Sequence, residues 1–370
     1  MQDLTEAALL DAVRRWVEIE SPTRHAAGVN RVADLAERDL RAIGASIERR
    51  PGRDGMGDIL LGRIPGAQEG PGLLLLGHMD TVHPVGTLGG PLPFRVADGR
   101  AWGPGIYDMK AGNAMALAAL AHLHARGERP LQPVTVMFIP DEELGSPTSR
   151  AAIEEEARRH AAALVFEPSG EGGKLTVARH GIARWHLRAE GRPAHAGAYH
   201  ADGLSAVRIM ARTVLALEDL TDHARNFCVN IGTIQGGGHE NMVPAECTAI
   251  CYALVPTARE EQELREAVLA QPVTATPGLG RPPYGKTPAI QRLYDHAAAL
   301  AAGSAFPVVG ERVAGGGSDG NFTGALGVPT LDGLGAIGAG PHTLEEHILT
   351  ACLAPRTRMI AELLRTLSPP

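Results

Sequence analysis

The residues best suited to chemistry are histidines and carboxylates that follow apolar runs of strand length. The segment Leu73–Val82 reads L-L-L-L-G-H-M-D-T-V, so His78 and Asp80 come directly after such a run. A continuous apolar run is typical of a buried parallel strand, and open α/β sheets bind ligands beyond the carboxyl ends of their strands. Residues two apart in an extended segment lie on the same side, so Asp80 can orient the imidazole of a metal-bound His78.

Further carboxylates and a second histidine occupy similar positions at the ends of predicted elements, namely Asp108, Glu142, Glu143, Glu167 and His342. Glu142 and Glu143 close the apolar run Val134–Pro140, and His342 lies in a Gly-rich loop ahead of a predicted helix. Taken singly, each has an ordinary explanation as a helix-start carboxylate, a turn residue or a capping histidine. Taken together, they form a cluster that needs cations, because buried carboxylates without partners are costly.

The predicted ligand set consists of His78, Asp108, Glu143, Glu167 and His342. Imidazole with carboxylate suits Zn²⁺, and also Co²⁺ or Mn²⁺, whereas an all-oxygen set would suit Mg²⁺ or Ca²⁺. The set is too large for one tetrahedral ion that keeps an open position, but it fits two ions if one carboxylate bridges them. Glu142 is then left beside a ligand, where it can act as the general base on the water molecule between the metals. The pattern predicts two Zn²⁺ ions per chain, with Co²⁺ or Mn²⁺ as alternatives.

Several segments resemble a known superfamily, the dizinc exopeptidases and deacylases that include carboxypeptidase G (glutamate carboxypeptidase), acetylornithine deacetylase and succinyl-diaminopimelate desuccinylase. In chain order they are G-H-M-D-T-V, G-P-G-I-Y-D-M-K-A-G, D-E-E-L-G-S-P-T-S-R, E-P-S, G-R-P-A-H-A-G and G-P-H-T-L-E-E-H. They run from residue 77 to residue 347, and most of them contain a residue of the ligand set. The form D-E-E-x-G-S-x-x-S-R is most similar to the carboxypeptidase G branch.

The resemblance assigns a role to each ligand. Asp108 is expected to bridge the two ions. His78 and Glu167 would complete the shell of one ion, and Glu143 and His342 the shell of the other. Relatives use a cis peptide bond after the bridging aspartate, so the bond that follows Asp108 is expected to be cis.

The resemblance also implies roles beside the metals. Glu142 would be the base and later the proton donor, and Asp80 would support His78. His195, in P-A-H-A-G, is similar to a family histidine that reaches the active site of a neighbouring subunit and polarises the scissile carbonyl. Asn241, in H-E-N-M-V-P, is similar to an asparagine that contacts substrate near the same carbonyl. Without the resemblance, these two would be interpreted as a loop histidine and a turn residue.

One position departs from the pattern of the relatives. Many of them carry D-x-R in the strand after this asparagine, and its arginine holds a substrate carboxylate. The corresponding segment here is C-Y-A-L-V, so Leu254 stands in place of that arginine. A leucine cannot make the bidentate contact that an arginine makes with a carboxylate. Either the substrate has no carboxylate there, or another cation replaces the arginine, the candidates being Arg179, Arg192 and Arg281.

The predicted fold is α/β, with a mainly parallel sheet, helices on both faces and a smaller inserted α+β domain. Helical spacing at Leu4–Glu20 and Ala111–Arg126 alternates with apolar strand-like runs, which is typical of a parallel sheet. Beyond Gly181 the pattern changes to alternating strands and two helices, and the Pro- and Gly-rich residues 272–285 are expected to be the return linker. The expected domains are residues 1–180 with 286–370 for catalysis and residues 181–285 for the insertion. By resemblance, the insertion is ferredoxin-like and forms a homodimer.

Composition limits the partners and the compartment. A net charge of −7 and 4% aromatic residues argue against nucleic-acid binding. No apolar run reaches the roughly 18 residues of a membrane span, so no membrane partner is expected. The four cysteines lack metal-ligand spacing, and M-Q-D-L-T-E-A does not read as a signal peptide, so we expect a cytoplasmic protein.

The sequence therefore predicts a zinc-dependent amidohydrolase or metallopeptidase that cleaves an amide bond of a small N-acyl amino acid or dipeptide. A deacylase or aromatic-amide hydrolase with a non-acidic substrate pocket is the alternative that Leu254 motivates. A catalytically silent binding homologue is the alternative outside the enzymes. It is disfavoured because Glu142 and the whole ligand set are present, whereas an inactive relative should have lost one of them.

Overall fold

The structure is a computed structural model that describes residues 4–368, so the outermost residues of the predicted catalytic domain, 1–3 and 369–370, lie outside the described residues. Its helices are α1 (Glu6–Val17), α2 (Ala26–Ala42), α3 (Ala111–Ala125), α4 (Arg150–Ala157), α5 (Ala206–Glu218), α6 (Ala258–Leu269), α7 (Pro288–Ala301), α8 (Gly320–Ala325) and α9 (Leu353–Thr366). Its strands are β1 (Ser46–Arg50), β2 (Ile59–Ile64), β3 (Leu73–His78), β4 (Arg95–Ala97), β5 (Arg100–Trp102), β6 (Val134–Ile139), β7 (Ala162–Val165), β8 (Leu175–Arg179), β9 (Gly181–Glu190), β10 (Cys228–Gly236), β11 (Glu246–Val255), β12 (Thr274–Pro277), β13 (Glu311–Ala314), β14 (Thr330–Leu331), β15 (Gly338–Ala339) and β16 (His347–Leu349).

The chain divides into two compact units. The smaller unit consists of Arg179–Gly285 and Ala314–Gly317. The larger unit takes in the described residues up to Ala178, the segment Lys286–Val313 and the described residues from Ser318 onward. The smaller unit is thus formed mainly by one continuous segment, which lies between two parts of the larger unit in the sequence.

A six-stranded sheet forms the centre of the larger unit, in the order β1-β2-β6-β3-β7-β14. Strands β6, β3, β7 and β14 are parallel, and β2 and β1 continue the sheet in antiparallel pairing. The leucines of β3 are buried on both faces, because the sheet is covered on both sides. The predicted α/β class with a mainly parallel sheet is confirmed.

Each face of this sheet packs against helices. On one face, Leu74 and Leu76 of β3 share a buried cluster with Ile153 of α4 and Phe322 of α8. On the other face, the ring of Trp16 in α1 meets the ring of Phe138 in β6 edge-on, with centroids 5.5 Å apart. Successive strand residues point to opposite faces, so uninterrupted apolar strands supply both cores.

The smaller unit is an antiparallel sheet with two helices on one face. The strand order is β10-β11-β9-β12, and the chain order is strand, helix, two strands, helix and strand, which is the ferredoxin-like arrangement. Alternate residues of β9 and β11 face the helices, and these include Leu187, Cys251 and Ala253. They pack against Met210 of α5 and Leu264 of α6.

The prediction that residues 272–285 form a return linker is wrong for part of that segment. Thr274–Pro277 forms β12, which pairs with β9 at the edge of the sheet. The sequence did not reveal this strand because it is only four residues long and lies among prolines and glycines. Proline is tolerated in an edge strand, because its missing N–H does not remove a hydrogen bond from the interior of the sheet.

None of the helices within residues 4–368 is long and apolar enough to cross a membrane.

Candidate metal centre and active site

Three of the predicted ligands follow parallel strands whose carboxyl ends meet at one edge of the sheet. His78 ends β3 and pairs in register with Ile139, the last residue of β6. Glu143 follows β6 in a short 3₁₀ turn. On the other side of β3, β7 ends at Val165, two residues before Glu167. The strand order therefore presents these three side chains at the same edge.

The other two ligands are brought together by a small antiparallel sheet of the larger unit, in the order β15-β16-β5-β4. His342 lies in the turn between β15 and β16, so the element that follows it is a strand, not the expected helix. Asp108 lies in the segment between β5 and α3, and β16 pairs with β5, which places the two loops side by side. The Asp108–Met109 peptide bond is cis, which confirms the expectation.

Asp108 lies at the centre of the cluster. Its Oδ1 is 3.1 Å from Nε2 of His78, and its Oδ2 is 3.3 Å from Nε2 of His342. Nε2 of His342 is also 3.2 Å from Oε2 of Glu143. Ligand atoms of His78, Asp108 and Glu143 lie within 4.8 Å of one another. The two oxygens of one carboxylate thus face two different imidazoles.

The chemistry of the cluster fits a bound cation. Oε1 of Glu143 is buried without a hydrogen-bond partner among the described residues, although an orphaned carboxylate oxygen is costly. His78 is fully buried, whereas about half of the His342 side chain is exposed, so the cluster is open to solvent on the His342 side. Nitrogen and oxygen donors in this mixture suit zinc, cobalt or manganese.

The histidines and carboxylates shift one another's pKa values. Hydrogen bonds to Asp108 and Glu143 raise the pKa of His342 to about 10. Burial lowers the pKa of His78, but hydrogen bonds to Asp108 and Asp80 outweigh it and hold that pKa well above its ordinary value. Burial alone would raise the pKa of Asp108. The hydrogen bonds and charges of the two imidazoles together have the larger effect, and they hold the pKa of Asp108 well below its usual range. The cluster is a strongly coupled electrostatic unit.

Asp80 supports both His78 and the turn that carries the expected base. Nδ1 of His78 lies 2.9 Å from the carbonyl oxygen of Asp80 and 3.4 Å from its carboxylate. The two carboxylate oxygens accept the backbone N–H groups of Glu142 and Glu143, at 3.1 and 3.2 Å, and one of them also accepts the Thr23 hydroxyl at 2.7 Å. The backbone carbonyl is therefore the closer partner of the ring, and the carboxylate fixes the turn.

The two remaining carboxylates of the prediction also belong to this edge. Glu142 is half-buried and directly precedes Glu143, so its side chain starts from the turn that Asp80 holds. Glu167 is buried, and its charge helps to raise the pKa of His78. The negative charge of Glu167 therefore favours the protonated form of the His78 ring.

Sequence reasoning missed several buried polar residues around the cluster. Asn113 donates through Nδ2 to the carbonyl oxygen of His78 at 2.6 Å. Glu346 accepts the backbone N–H of Asp108 at 3.0 Å, and His83 lies 2.6 Å from the other carboxylate oxygen of Glu346. Both Glu346 and His83 fall within or next to matched segments, but nothing in the sequence distinguishes Glu346 from its exposed neighbour Glu345.

The second group of candidates lies in the smaller unit, where His195 and Asn241 come together. The N–H of Ala196 donates to the carbonyl oxygen of Asn241 at 2.8 Å, and both candidate side chains are exposed. Nδ1 of His195 accepts the N–H groups of Gly197 and Ala198 at 3.2 and 3.1 Å. Because Nδ1 accepts, the proton of the neutral ring lies on Nε2, which leaves Nε2–H as a donor.

Leu254 lies on the face of the smaller sheet that is opposite to the helices. It pairs with Ile182 of β9 and Cys228 of β10, and it alternates in the strand with the buried Ala253 and Val255. The candidate replacement cations Arg179 and Arg281 are buried against the glycine segment 315–317, where Arg179 donates to the carbonyl oxygen of Gly316 at 2.8 Å. Arg192 is exposed and donates to the carbonyl oxygen of Asp202.

Comparison with known protein families shows which family this chain belongs to. Residues 74–366 match the profile described as peptidase family M20/M25/M40. The chain belongs to this family. Carboxypeptidase G2 from Pseudomonas sp. (strain RS-16) is 32% identical over 378 residues, which covers 98% of this chain and 90% of that protein. The superfamily that the motifs resemble is confirmed.

Solved structures of the family share the fold. Aminopeptidase PepT from Bacillus cereus matches with a TM-score of 0.79 and 21% identity over 98% of both chains. A protein from Bacillus subtilis, described as a dinuclear metal-binding peptidase from family M20, matches with a TM-score of 0.72 and 15% identity over 98% of this chain and 99% of its own. As a member of this family, the chain is a metal-dependent hydrolase whose chemistry is the cleavage of amide bonds.

Proposed function

We propose that this protein is a dinuclear zinc hydrolase that cleaves an amide bond of a small N-acyl amino acid or dipeptide. The observation that carries the proposal is the position of Asp108, whose two carboxylate oxygens each face a different imidazole. Such a carboxylate would serve as a ligand shared by the two ions of a dinuclear hydrolytic site. His78 with Glu167 would hold one ion, and Glu143 with His342 the other.

Metal ions held by these residues would supply Lewis-acid polarisation of the amide carbonyl and would lower the pKa of a bound water molecule. Glu142 would accept a proton from the attacking water molecule and deliver it to the leaving nitrogen. Its position next to Glu143, on a turn held by Asp80, supports this role. His195 would donate from Nε2 to the carbonyl oxygen of the substrate, which agrees with the hydrogen bonds that its Nδ1 accepts.

We propose further that the protein acts as a homodimer and that His195 serves the active site of the partner. The proposal rests on the family resemblance around His195. It is supported by exposed apolar side chains on the smaller unit, since Leu204 before α5 and Leu215 within it are 51% and 66% exposed. A second copy that covered these side chains would remove apolar surface from water.

The position of Leu254 favours a substrate with a neutral or apolar group over an acyl-glutamate. Tyr252 and Leu254 occupy the same face of β11, where many relatives carry an aspartate and an arginine. The guanidinium of Arg184, on the neighbouring strand, lies over the ring of Tyr252 at 5.6 Å and donates to the carbonyl oxygen of Leu279. An apolar residue at this place favours the deacylase or aromatic-amide alternative among the possible substrates.

The proposal is tested by a hydrolysis panel of N-acyl amino acids and dipeptides, measured with zinc-loaded and chelator-treated protein. We expect zinc-dependent hydrolysis with a higher kcat/KM for acyl-leucine or acyl-phenylalanine than for acyl-glutamate. Leu254→Arg should shift the preference toward acyl-glutamate. Ile250→Arg, which adds the same charge elsewhere on the same strand face, should not. Full activity after removal of all metal would refute the hydrolytic proposal, and a strong glutamate preference of the wild type would refute the specificity argument.

A further inference from the structure

The buried carboxylate of Glu346 has an unusual set of partners. It is 1% exposed and accepts hydrogen bonds at both oxygens. Oε1 accepts the backbone N–H groups of Tyr107 and Asp108 at 2.9 and 3.0 Å, and Oε2 accepts that of Gly105 at 3.0 Å. Nε2 of His83, which is also buried, lies 2.6 Å from Oε2. A carboxylate has about four lone-pair sites, so these donors fill Glu346.

These contacts tie together the two loops that meet at the centre of the ligand cluster. Glu346 follows His342 by four residues, and both belong to the segment between β15 and β16. The same segment therefore contacts Asp108 twice, through His342 at the carboxylate and through Glu346 at the backbone N–H. The direction in which the Asp108 side chain leaves the backbone depends on this arrangement.

We propose that Glu346 is a positioning residue that fixes the Asp108 loop for metal binding, with His83 as its supporting partner. This inference rests on the proposed dinuclear function. Three N–H groups of the loop 105–108 converge on one carboxylate, and only an acceptor at each oxygen satisfies all of them. An amide of the same size offers one acceptor and one donor, so part of the loop would lose its partner and face an N–H group instead.

Glu20 provides a control, because it is a second glutamate that holds a loop. Its carboxylate also accepts backbone N–H groups of a loop, from Gly86 at 2.9 Å and Leu88 at 2.8 Å. That loop contains no residue of the proposed ligand set. The buried ammonium of Lys110 interacts favourably with both glutamates. Glu20 is only half-buried, whereas Glu346 is 1% exposed, so this control tests the loss of a loop-holding carboxylate at a place away from the ligand set.

The inference is tested with Co²⁺ as the probe, titrated into chelator-treated protein and followed by the visible absorption of the bound ion. Glu346→Gln should bind Co²⁺ about 10–100-fold more weakly than the wild type and give a changed absorption band. On substrates that the wild type cleaves, Glu346→Gln should show a lower kcat than the wild type and a similar KM. Glu20→Gln should keep the affinity and the spectrum of the wild type.

A purely structural role of Glu346 would lower the unfolding temperature of Glu346→Gln and leave its Co²⁺ affinity and spectrum unchanged, and that result would overturn the inference. If Glu346→Gln fails to fold, the variants His83→Ala and His83→Gln test the inference in its place. His83→Ala removes one donor and should weaken Co²⁺ binding, whereas His83→Gln keeps a donor and should restore it. Equal affinities of wild type and His83→Ala would also overturn the inference. A wild type that binds no Co²⁺ would refute the proposed function itself.

Discussion

Asp80 illustrates, at the scale of the residue, how one carboxylate can serve two parts of a site. Its spacing from His78 is visible in the sequence, and the two residues do lie in contact. Its hydrogen bonds to the backbone of Glu142 and Glu143 join segments that are 62 and 63 residues apart. Such long-range contacts depend on how the loops approach one another in space, so a single sequence could not predict them.

Glu142 is the residue whose replacement separates chemistry from metal binding. Glu142→Gln keeps the volume and removes the base, so we expect bound metal to be retained while kcat falls by about 10²–10⁴-fold. Elemental analysis and steady-state kinetics of the same preparation measure both quantities. Glu155→Gln, on the exposed side of α4, should behave as the wild type. Turnover near the wild-type value in Glu142→Gln would assign the base to another residue.

At the scale of the element, apolar strands were easy to predict and pairings were not. The runs at β3, β6 and β7 are buried on both faces, which makes them uniformly apolar and recognisable. The short strand β16 contains no such run, yet its pairing with β5 brings His342 beside Asp108. Candidate ligands could therefore be proposed from motifs, whereas the elements that bring them together are determined by tertiary pairing.

Helix α4 supplies a prediction about stability that is independent of the metal centre. The Glu156 side chain is fully buried and accepts two hydrogen bonds from Arg63, at 3.0 and 2.9 Å. Burial raises the pKa of Glu156, but the hydrogen bonds and charge of Arg63 outweigh it, so the pKa in the folded protein is lowered. Because the pKa of Glu156 is lower in the folded protein than in the unfolded chain, its ionised carboxylate stabilises the fold at pH values above the unfolded-chain pKa of about 4.3. This stabilisation is lost as the pH falls through the pKa of the folded protein.

Glu156→Gln should therefore lower the free energy of unfolding by about 1–3 kcal/mol at pH 7, with a smaller difference near pH 3.5. Urea unfolding of wild type and variant at the two pH values measures the change. Glu154→Gln removes exposed ion pairs of the same helix and should cost less than about 1 kcal/mol. A difference for Glu156→Gln that does not depend on pH would contradict the assignment to the ionised carboxylate.

At the scale of the whole molecule, the candidate residues are divided between the two units. The ligand cluster and Glu142 belong to the larger unit, and His195 and Asn241 belong to the smaller one. The sequence change near Gly181 indicated the insertion, because apolar runs buried on both faces give way there to half-buried alternation. The proposed homodimer rests instead on the family resemblance around His195, because the apolar pattern contains no corresponding signal for a subunit interface.

Subunit mixing tests whether His195 serves a partner. His195→Ala and Glu142→Gln are each expected to be nearly inactive. In a mixed dimer, one of the two symmetric sites would contain both intact residues, so activity should recover up to about half of the wild-type value per dimer. The measurement is hydrolysis after verified subunit exchange. Continued inactivity of the exchanged mixture would mean that His195 serves its own chain or has no catalytic role.

The central claim is that Asp108 bridges two metal ions, and the number of ions bound per chain tests it most directly. Elemental analysis of protein dialysed against trace zinc should give close to two ions per wild-type chain, as expected for a dinuclear site. His342→Ala should retain the ion held by His78 and Glu167 and lose the other, which gives close to one. A wild-type protein that hydrolyses amides with a single ion per chain, or with none, would contradict the account.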